Sequence, residues 1–523
     1  MKLPTHLLLL PGVLAAQIQP PLQNANHIFN TIHASMRQWG SSVHHNGMSF
    51  FLATVPAGVR LYHGNADPRP IQDIGWMAFE PEHAMVFARP RRPRDGPPPD
   101  QGQNVPQQEI FNRGMEQETE SGWFHTYETA RELRLLYIDG TSAGKSMIGT
   151  LDLQDRVLFN DTIDGGVSVE DERARMVCEL VRTEWNGRLD GAIRMAAGFE
   201  IILCSPEKTL STVNIMPVRR HDSDDPGSRT AHDNEKRRKG NHKKEKHMKE
   251  PMPTKNKREP EHERVKQEKK HNPHAKSGQL LRAITSRFKG IGGDRVRIYY
   301  DHFVSAYNFD LNLWPGGSSV PRLQHLSAED LSPMLENLSS LIMNHEPDIA
   351  GSVNWQSVAD LIVARYGRFL QGLVHGKRHG HRKELEKMPG RKSSQAQISD
   401  LMAGFGDNSE ESIALCSTQF LSAPTDRSSL AHQALHNISY MICSTLISLQ
   451  GEQGDEIVQD TVRDLMAYLD WTIWKECRGC RGDEFCAIPI WPQGSKEDFE
   501  NPRCRRFEDG WGTVNDYWGG IWH

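Results

Sequence analysis

The stretch LLYIDGTSAGKS, residues 135–146, admits two readings, and the choice between them decides the fold. Leu135, Leu136, Tyr137 and Ile138 make an apolar run that reads as a strand. The turn behind it ends Gly144-Lys145-Ser146, as a phosphate-binding loop does. Such a loop needs a longer spacer ahead of its Gly-Lys-Ser, so that successive backbone N–H groups can wrap the phosphates. Here Thr141, Ser142 and Ala143 alone separate Gly140 from Gly144, and Asp139 sets a repelling carboxylate beside them. The stretch therefore reads as a strand and turn of an α+β domain. Lys145 or Ser142 would touch a ligand only as an accessory to a site built by other residues.

Helix and strand patterns alternate on both sides of it. ANHIFNTIHASMRQWG (25–40) reads as an amphipathic helix closed by Gly40. MSFFLATVP (48–56), VRLYHG (59–64) and WMAF (76–79) read as strands, and PEHAMVFARPRR (81–92) as a short helix. Strands follow at WFHTYET (123–129) and LRLLYID (133–139), a helix at VEDERARMVCELVRTEW (169–185), and a strand pair at GAIRMA (191–196) and GFEIILCSP (198–206). These patterns predict a mixed, mostly antiparallel sheet with helices. Farther on, 326–345, 354–376, 428–451 and 455–477 carry helical spacing, with Ser327 as N-cap and Leu331, Met334, Leu335, Leu338 and Leu341 on one face. That half reads as an α-helical domain stapled by disulfides.

The N-terminus and the cysteines indicate the compartment. MKLPTHLLLLPGVLAA has an early Lys, a short apolar core and small residues at Ala15 and Ala16, the pattern of a secretory signal peptide. No later segment is apolar enough over 18 residues to span a bilayer. Sequons at Asn160, Asn337 and Asn437 agree with export and predict glycosylation. Eight cysteines in an oxidising compartment invite pairing. Cys178 with Cys204 and Cys416 with Cys443 are the natural pairs, while Cys477, Cys480, Cys486 and Cys504 make a small stapled tail of open connectivity. Zinc is the rival for that tail, through Cys477-x-x-Cys480, but export favours disulfides and no metal site is expected. His375, His379 and His381 sit among cations and read as a surface loop. Arg481-Gly482-Asp483, between cysteines, matches an adhesion tripeptide short enough to arise by chance.

A chain of 523 residues is too long for one core. Its net charge of −5 conceals a basic run from Arg219 to Lys276 with almost no large apolar residue, which cannot offset its ordering entropy by burial. It reads as a disordered, solvated linker. Cleavage at Arg219-Arg220 or Lys236-Arg237-Arg238, or attachment to an acidic surface polymer, are the sharper alternatives. A nucleic-acid role does not suit an exported chain. The expected divisions are a signal peptide (1–16), an α+β domain (17–217), the linker (218–280), a helical domain (281–475) and a Cys/Trp-rich tail (476–523).

Three pieces of the first domain, RLYHG (60–64), WMAFEPEHAMVFA (76–88) and LDGAIRMAAGFEIILCSP (189–206), resemble the core motifs of ADP-ribosyltransferases, in the branch with a His-Tyr-Glu triad that includes diphtheria-like toxins and poly(ADP-ribose) polymerases. The whole chain also resembles uncharacterised secreted proteins of filamentous fungi. The first resemblance implies an ADP-ribosyltransferase-like fold with NAD as substrate. Glu200 would be the catalytic carboxylate that faces the oxocarbenium-like sugar. His63 and Gly64 would hold the cofactor's ribose and backbone, and Phe79 and Phe87 would sandwich the nicotinamide. The ADP-ribose acceptor would be an external, host-type protein. The motifs also depart from the family: Phe stands at both stacking positions, Glu80-Pro81 replaces the usual Ser/Thr, and Gly198 stands where arginine-specific members carry Glu or Gln. A non-catalytic interaction protein on the same fold is the alternative these departures leave open.

Overall fold

The structure, a computed structural model, describes residues 22–89, 122–163, 169–218, 275–345, 352–375, 392–406, 409–421, 426–451, 454–512 and 514–519. The signal peptide, most of the basic linker with its dibasic sites, and His379 and His381 lie outside the described residues.

Nine strands form one sheet: β1 (Asn46–Val55), β2 (Arg60–Asn65), β3 (Gly75–Ala78), β4 (Trp123–Thr129), β5 (Leu133–Gly140), β6 (Gly191–Ala196), β7 (Gly198–Leu203), β8 (Leu210–Pro217) and β9 (Arg297–Ser305). Their spatial order is β8-β4-β2-β3-β7-β6-β5-β1-β9. Every neighbouring pair is antiparallel except β5 and β6. The mixed, mostly antiparallel α+β architecture predicted by the sequence is therefore present, and the strand periods that predicted it are real.

One strand comes from outside the region expected to build the sheet. RIYYDHFVS (297–305) has the aromatic and β-branched composition of a strand and pairs with β1 from Ser49↔Ser305 to Thr54↔Arg297. Its neighbourhood was expected to be wholly helical. The rest of that half is helical, including Ala328–Asn344, Trp355–His375, Leu430–Ser448 and Asp455–Leu469. Ser327 caps the first of these in a capping box with Asp330. Leu331, Met334, Leu338 and Ile342 form its buried stripe, while Leu335 and Leu341 lie half-buried at its margin.

The sheet and the helices share one core. A single cluster of buried apolar side chains runs from Ala25 to Trp471. Helix α1 (Ala25–Ala34) joins the halves: Ile28, Phe29 and Ile32 are fully buried, and Asn30 donates from Nδ2 to the Leu469 carbonyl at 2.9 Å. Arg37 grips Asp360 with both Nη atoms, at 2.6 and 2.7 Å. Ile28, Phe29 and Ile32 each contribute roughly 1.5–3 kcal/mol through area removed from water, and much of that burial is against the helical half.

All eight cysteines are bridged: Cys178–Cys204, Cys416–Cys443, Cys477–Cys486 and Cys480–Cys504. The two expected pairs form, and the tail resolves to the last two. No helix among the described residues is long and apolar enough to cross a membrane. Of the sequon asparagines, Asn160 and Asn337 are exposed. Asn437 is half-buried, donating from Nδ2 to the Gln433 carbonyl at 2.8 Å and accepting from the Leu22 N–H at 3.3 Å.

Two stability predictions follow from this core. Calorimetry of the full chain should show one cooperative transition, and Phe29→Ala should lower that transition as a whole, by about 3–5 kcal/mol. Separate sheet and helix transitions would contradict the shared core. Acid should also destabilise the protein. Burial pushes His33 down to about 3 and His45 to about 4, so the unfolded chain takes up protons that the fold refuses. Their contribution is present above pH 6.5 and lost as pH falls towards those values. Asp139, pushed up to about 7 by burial, acts in the opposite direction over the same window. His27 and His63 are likewise pushed down to about 4, so the depressed histidines outweigh the one raised carboxyl and stability should fall as pH drops from 6.5 to 4.5, measurable by urea titration at each pH.

Candidate functional site

Directly paired residues of neighbouring strands project to one face of a sheet, and successive residues of a strand to opposite faces. Tyr62 pairs with Ala78, Ala78 with Glu200, and Glu200 with Arg194. These four side chains therefore share a face. His63, the next residue along β2, projects to the other, as do Met77 and Ile201. The register places His63 and Glu200 on opposite sides of the sheet.

The remaining residues singled out for NAD have local structural roles. His63 is half-buried, bonds the Trp76 carbonyl through Nδ1 at 2.8 Å, and stands edge-on to His125 with centroids 5.7 Å apart. Burial pushes its imidazole down to about 4, so it is neutral at physiological pH. Gly64 makes room for the helix Pro81–Met85, since a Cβ there would lie 2.1 Å from the Ala84 carbonyl oxygen. Phe79 is buried in the main core with the Arg295 guanidinium 5.6 Å from its ring centre. Phe87 is half-buried and tilted against His83 at 6.0 Å. A cavity of about 10 Å³, little more than room for one water, is lined by Phe79, Glu80, His83, Gly198 and Phe199 among others, and not by His63, Gly64, Phe87 or Glu200. That is below the ~300–1,000 Å³ of ordinary ligand sites.

Glu200 belongs instead to a buried network of charges. Its side chain is 13 % exposed and accepts a hydrogen bond from Nη2 of Arg194 at 2.6 Å. Arg194 is fully buried and also donates to Glu170 at 2.5 Å and Gln154 at 3.2 Å. Arg173, likewise buried, reaches Glu170 at 3.3 Å and grips Asp155 at 2.9 and 2.8 Å. Glu170 opens helix α2 (Glu170–Arg182), which packs Ala174 and Cys178 on Ile202 of the same sheet face and is bolted there by Cys178–Cys204. Burial alone would raise the Glu170 carboxyl, yet Arg194, Lys145 and Arg173 hold it at about 2. Lys145 is buried, with its ammonium 5.0 Å from the Trp491 ring centre. Burial pulls its pKa down against the charges of Glu170 and Glu200.

The turn that ends in Lys145 brings that ammonium within electrostatic reach of Glu170 and Glu200, and several of its backbone N–H groups are used inside the fold. Thr141 N–H donates to the His45 carbonyl, Ala143 N–H to Met195 and Gly144 N–H to Thr141, each at 2.8 Å. These donors are spent inside the fold. Burial also holds Asp139, which accepts from the Ser49 N–H at 2.9 Å.

Arg194, Glu170, Arg173 and Asp155 were not singled out from the sequence. One signal was readable: in GAIRMAAGFEII, Arg194 and Glu200 are equidistant from Ala197, so a tight β6–β7 hairpin must set them opposite each other. The partnership with Glu170 and Asp155 joins distant segments and carries no local pattern.

Arg194→Met should cost about 3–5 kcal/mol in urea unfolding, because Glu170 and Glu200 would stay buried without their main partner. A loss below about 1 kcal/mol would show that the network behaves as a surface one.

Residues 18–121 and 94–309 match the family described as the YPL277C N-terminal domain. The matched region ends just past Ser305 and so takes in every strand of the sheet, β9 included. The chain is similar to two uncharacterized Saccharomyces cerevisiae proteins. It is 31 % identical to YOR389W over 201 residues, covering 35 % of this chain and 31 % of the relative. It is 30 % identical to YPL277C over 201 residues, covering 35 % of this chain and 40 % of the relative. The chain thus spans well under half the length of either yeast protein. No solved structure matches it. With its whole sheet inside the matched region, the chain belongs to the YPL277C N-terminal domain family.

Proposed function

We propose that this chain is an exported interaction protein whose sheet is a scaffold, not an NAD-cleaving centre. The observation that carries this reading is the position of Glu200, held by Arg194 on the face of the sheet opposite to His63. Cleavage of the nicotinamide–ribose bond asks for a carboxylate free to face the developing positive charge on the sugar, with the positioning histidine in the same cleft. A carboxylate already spent on a guanidinium has little field left for a substrate. Four disulfides are compatible with export, since such bonds persist in oxidising compartments. On this reading the partner is an extracellular protein, and the basic run Arg219–Lys276 helps to hold the chain near acidic surface polymers.

The competing reading is NAD cleavage with transfer of ADP-ribose to an external target. The two separate in one assay. The full chain, with its disulfides intact, is incubated with NAD and released nicotinamide is followed beside Glu200→Gln. The proposal expects no release above buffer and no difference between the proteins. Release by the wild type that Glu200→Gln abolishes, with the fold unchanged by circular dichroism, would overturn it.

A further inference from the structure

Resting on the interaction reading, we infer that the turn Arg481-Gly482-Asp483 is an adhesive contact for a cell-surface receptor that binds carboxylates through a divalent cation. The turn leads directly into the open end of a small antiparallel pair, β10 (Glu484–Ala487) with β11 (Arg503–Arg506), in which Cys486 stands opposite Cys504. Two disulfides fix its base, Cys480–Cys504 directly before Arg481 and Cys477–Cys486 just after β10 begins. The backbone is tied at both ends. Glu484 N–H donates to the Arg481 carbonyl at 3.0 Å, closing a four-residue turn, and Phe507 N–H donates to the Asp483 carbonyl at 3.1 Å. Arg481 N–H donates to the Glu484 carboxylate at 3.0 Å.

The side chains on this rigid frame are open to solvent. Arg481 is 73 % and Asp483 53 % exposed, and they approach each other only at 3.5 Å, an ion pair that water screens heavily. The fold itself makes little demand on the tripeptide. A Cβ on Gly482 would meet nothing within 4 Å, and Gly482 is not among the glycines with positive φ. The glycine adds no side chain beside an exposed, weakly paired cation and anion carried on a tethered turn.

That arrangement fits one kind of partner. A carboxylate is a hard oxygen ligand for magnesium or calcium, and an exposed guanidinium pairs with acidic side chains. A receptor offering a bound divalent cation beside an acidic pocket would engage both ends of the turn. Disulfide tethering removes part of the ordering entropy that a linear tripeptide loses on binding.

The test coats wells with the full chain and plates cultured fibroblasts in magnesium-containing buffer. Cells should attach. EDTA, or a soluble Gly-Arg-Gly-Asp-Ser peptide, should release them. Asp483→Glu, which shifts the carboxylate by one methylene, should cut attachment at least about tenfold, with circular dichroism and melting unchanged. Gly482→Ala, which costs the fold no space, should weaken attachment in the same way. No attachment overturns the inference, and so does attachment that survives EDTA, Asp483→Glu or Gly482→Ala. Attachment that survives these changes would leave the interaction reading standing, since that reading fails separately, through Glu200-dependent nicotinamide release.

Discussion

Burying a guanidinium in the middle of a β-sheet costs several kcal/mol unless its charge and donors are met, and Arg194 is met by the carboxylates of Glu200 and Glu170 and the amide oxygen of Gln154. Much of the surrounding architecture satisfies that demand. Glu170 begins the helix that covers this face of the sheet, so the ion pair and the Cys178–Cys204 bridge fix the same helix at its first turn and its middle. Arg173 and Asp155 extend the network, and Lys145 brings the end of the 141–146 turn into it. Three cations face three carboxylates among Lys145, Arg173, Arg194, Asp155, Glu170 and Glu200, so the buried charge balances.

The family resemblance and the geometry part company over this network. The sequence expectation of an ADP-ribosyltransferase-like site rests on the order of the motifs around His63 and Glu200, and both residues lie within the central strands of the sheet. The catalytic use of those motifs needs the two side chains in one cleft. Side-chain direction alternates residue by residue along a strand, so a register offset of one residue separates a shared site from two unrelated positions. Here Tyr62, not His63, lies in line with Glu200.

What could be read from the sequence divides along the same line. Strand and helix periods were legible for β1 to β7 and for the long helices, because burial of one face writes a local pattern. The pairs Cys178–Cys204 and Cys416–Cys443 were legible from proximity along the chain. The role of β9 was not, since RIYYDHFVS follows a long basic segment and its pairing partner β1 lies far away in sequence. The phosphate-loop likeness of 140–146 failed in the spacing, and the fold agrees, with the N–H groups of Thr141, Ala143 and Gly144 used internally. Lys145, set aside as at most an accessory, lies within electrostatic reach of Glu200 and Glu170.

The most direct measurement of this account is a double-mutant cycle between Arg194 and Glu200, read by urea unfolding of the full chain with Arg194→Met, Glu200→Gln and the pair. The account predicts strong non-additivity, a coupling of about 1–3 kcal/mol, because each residue is the other's buried partner. Additive effects, with Glu200→Gln alone leaving stability unchanged, would mean that Glu200 is free for other chemistry and would contradict the account.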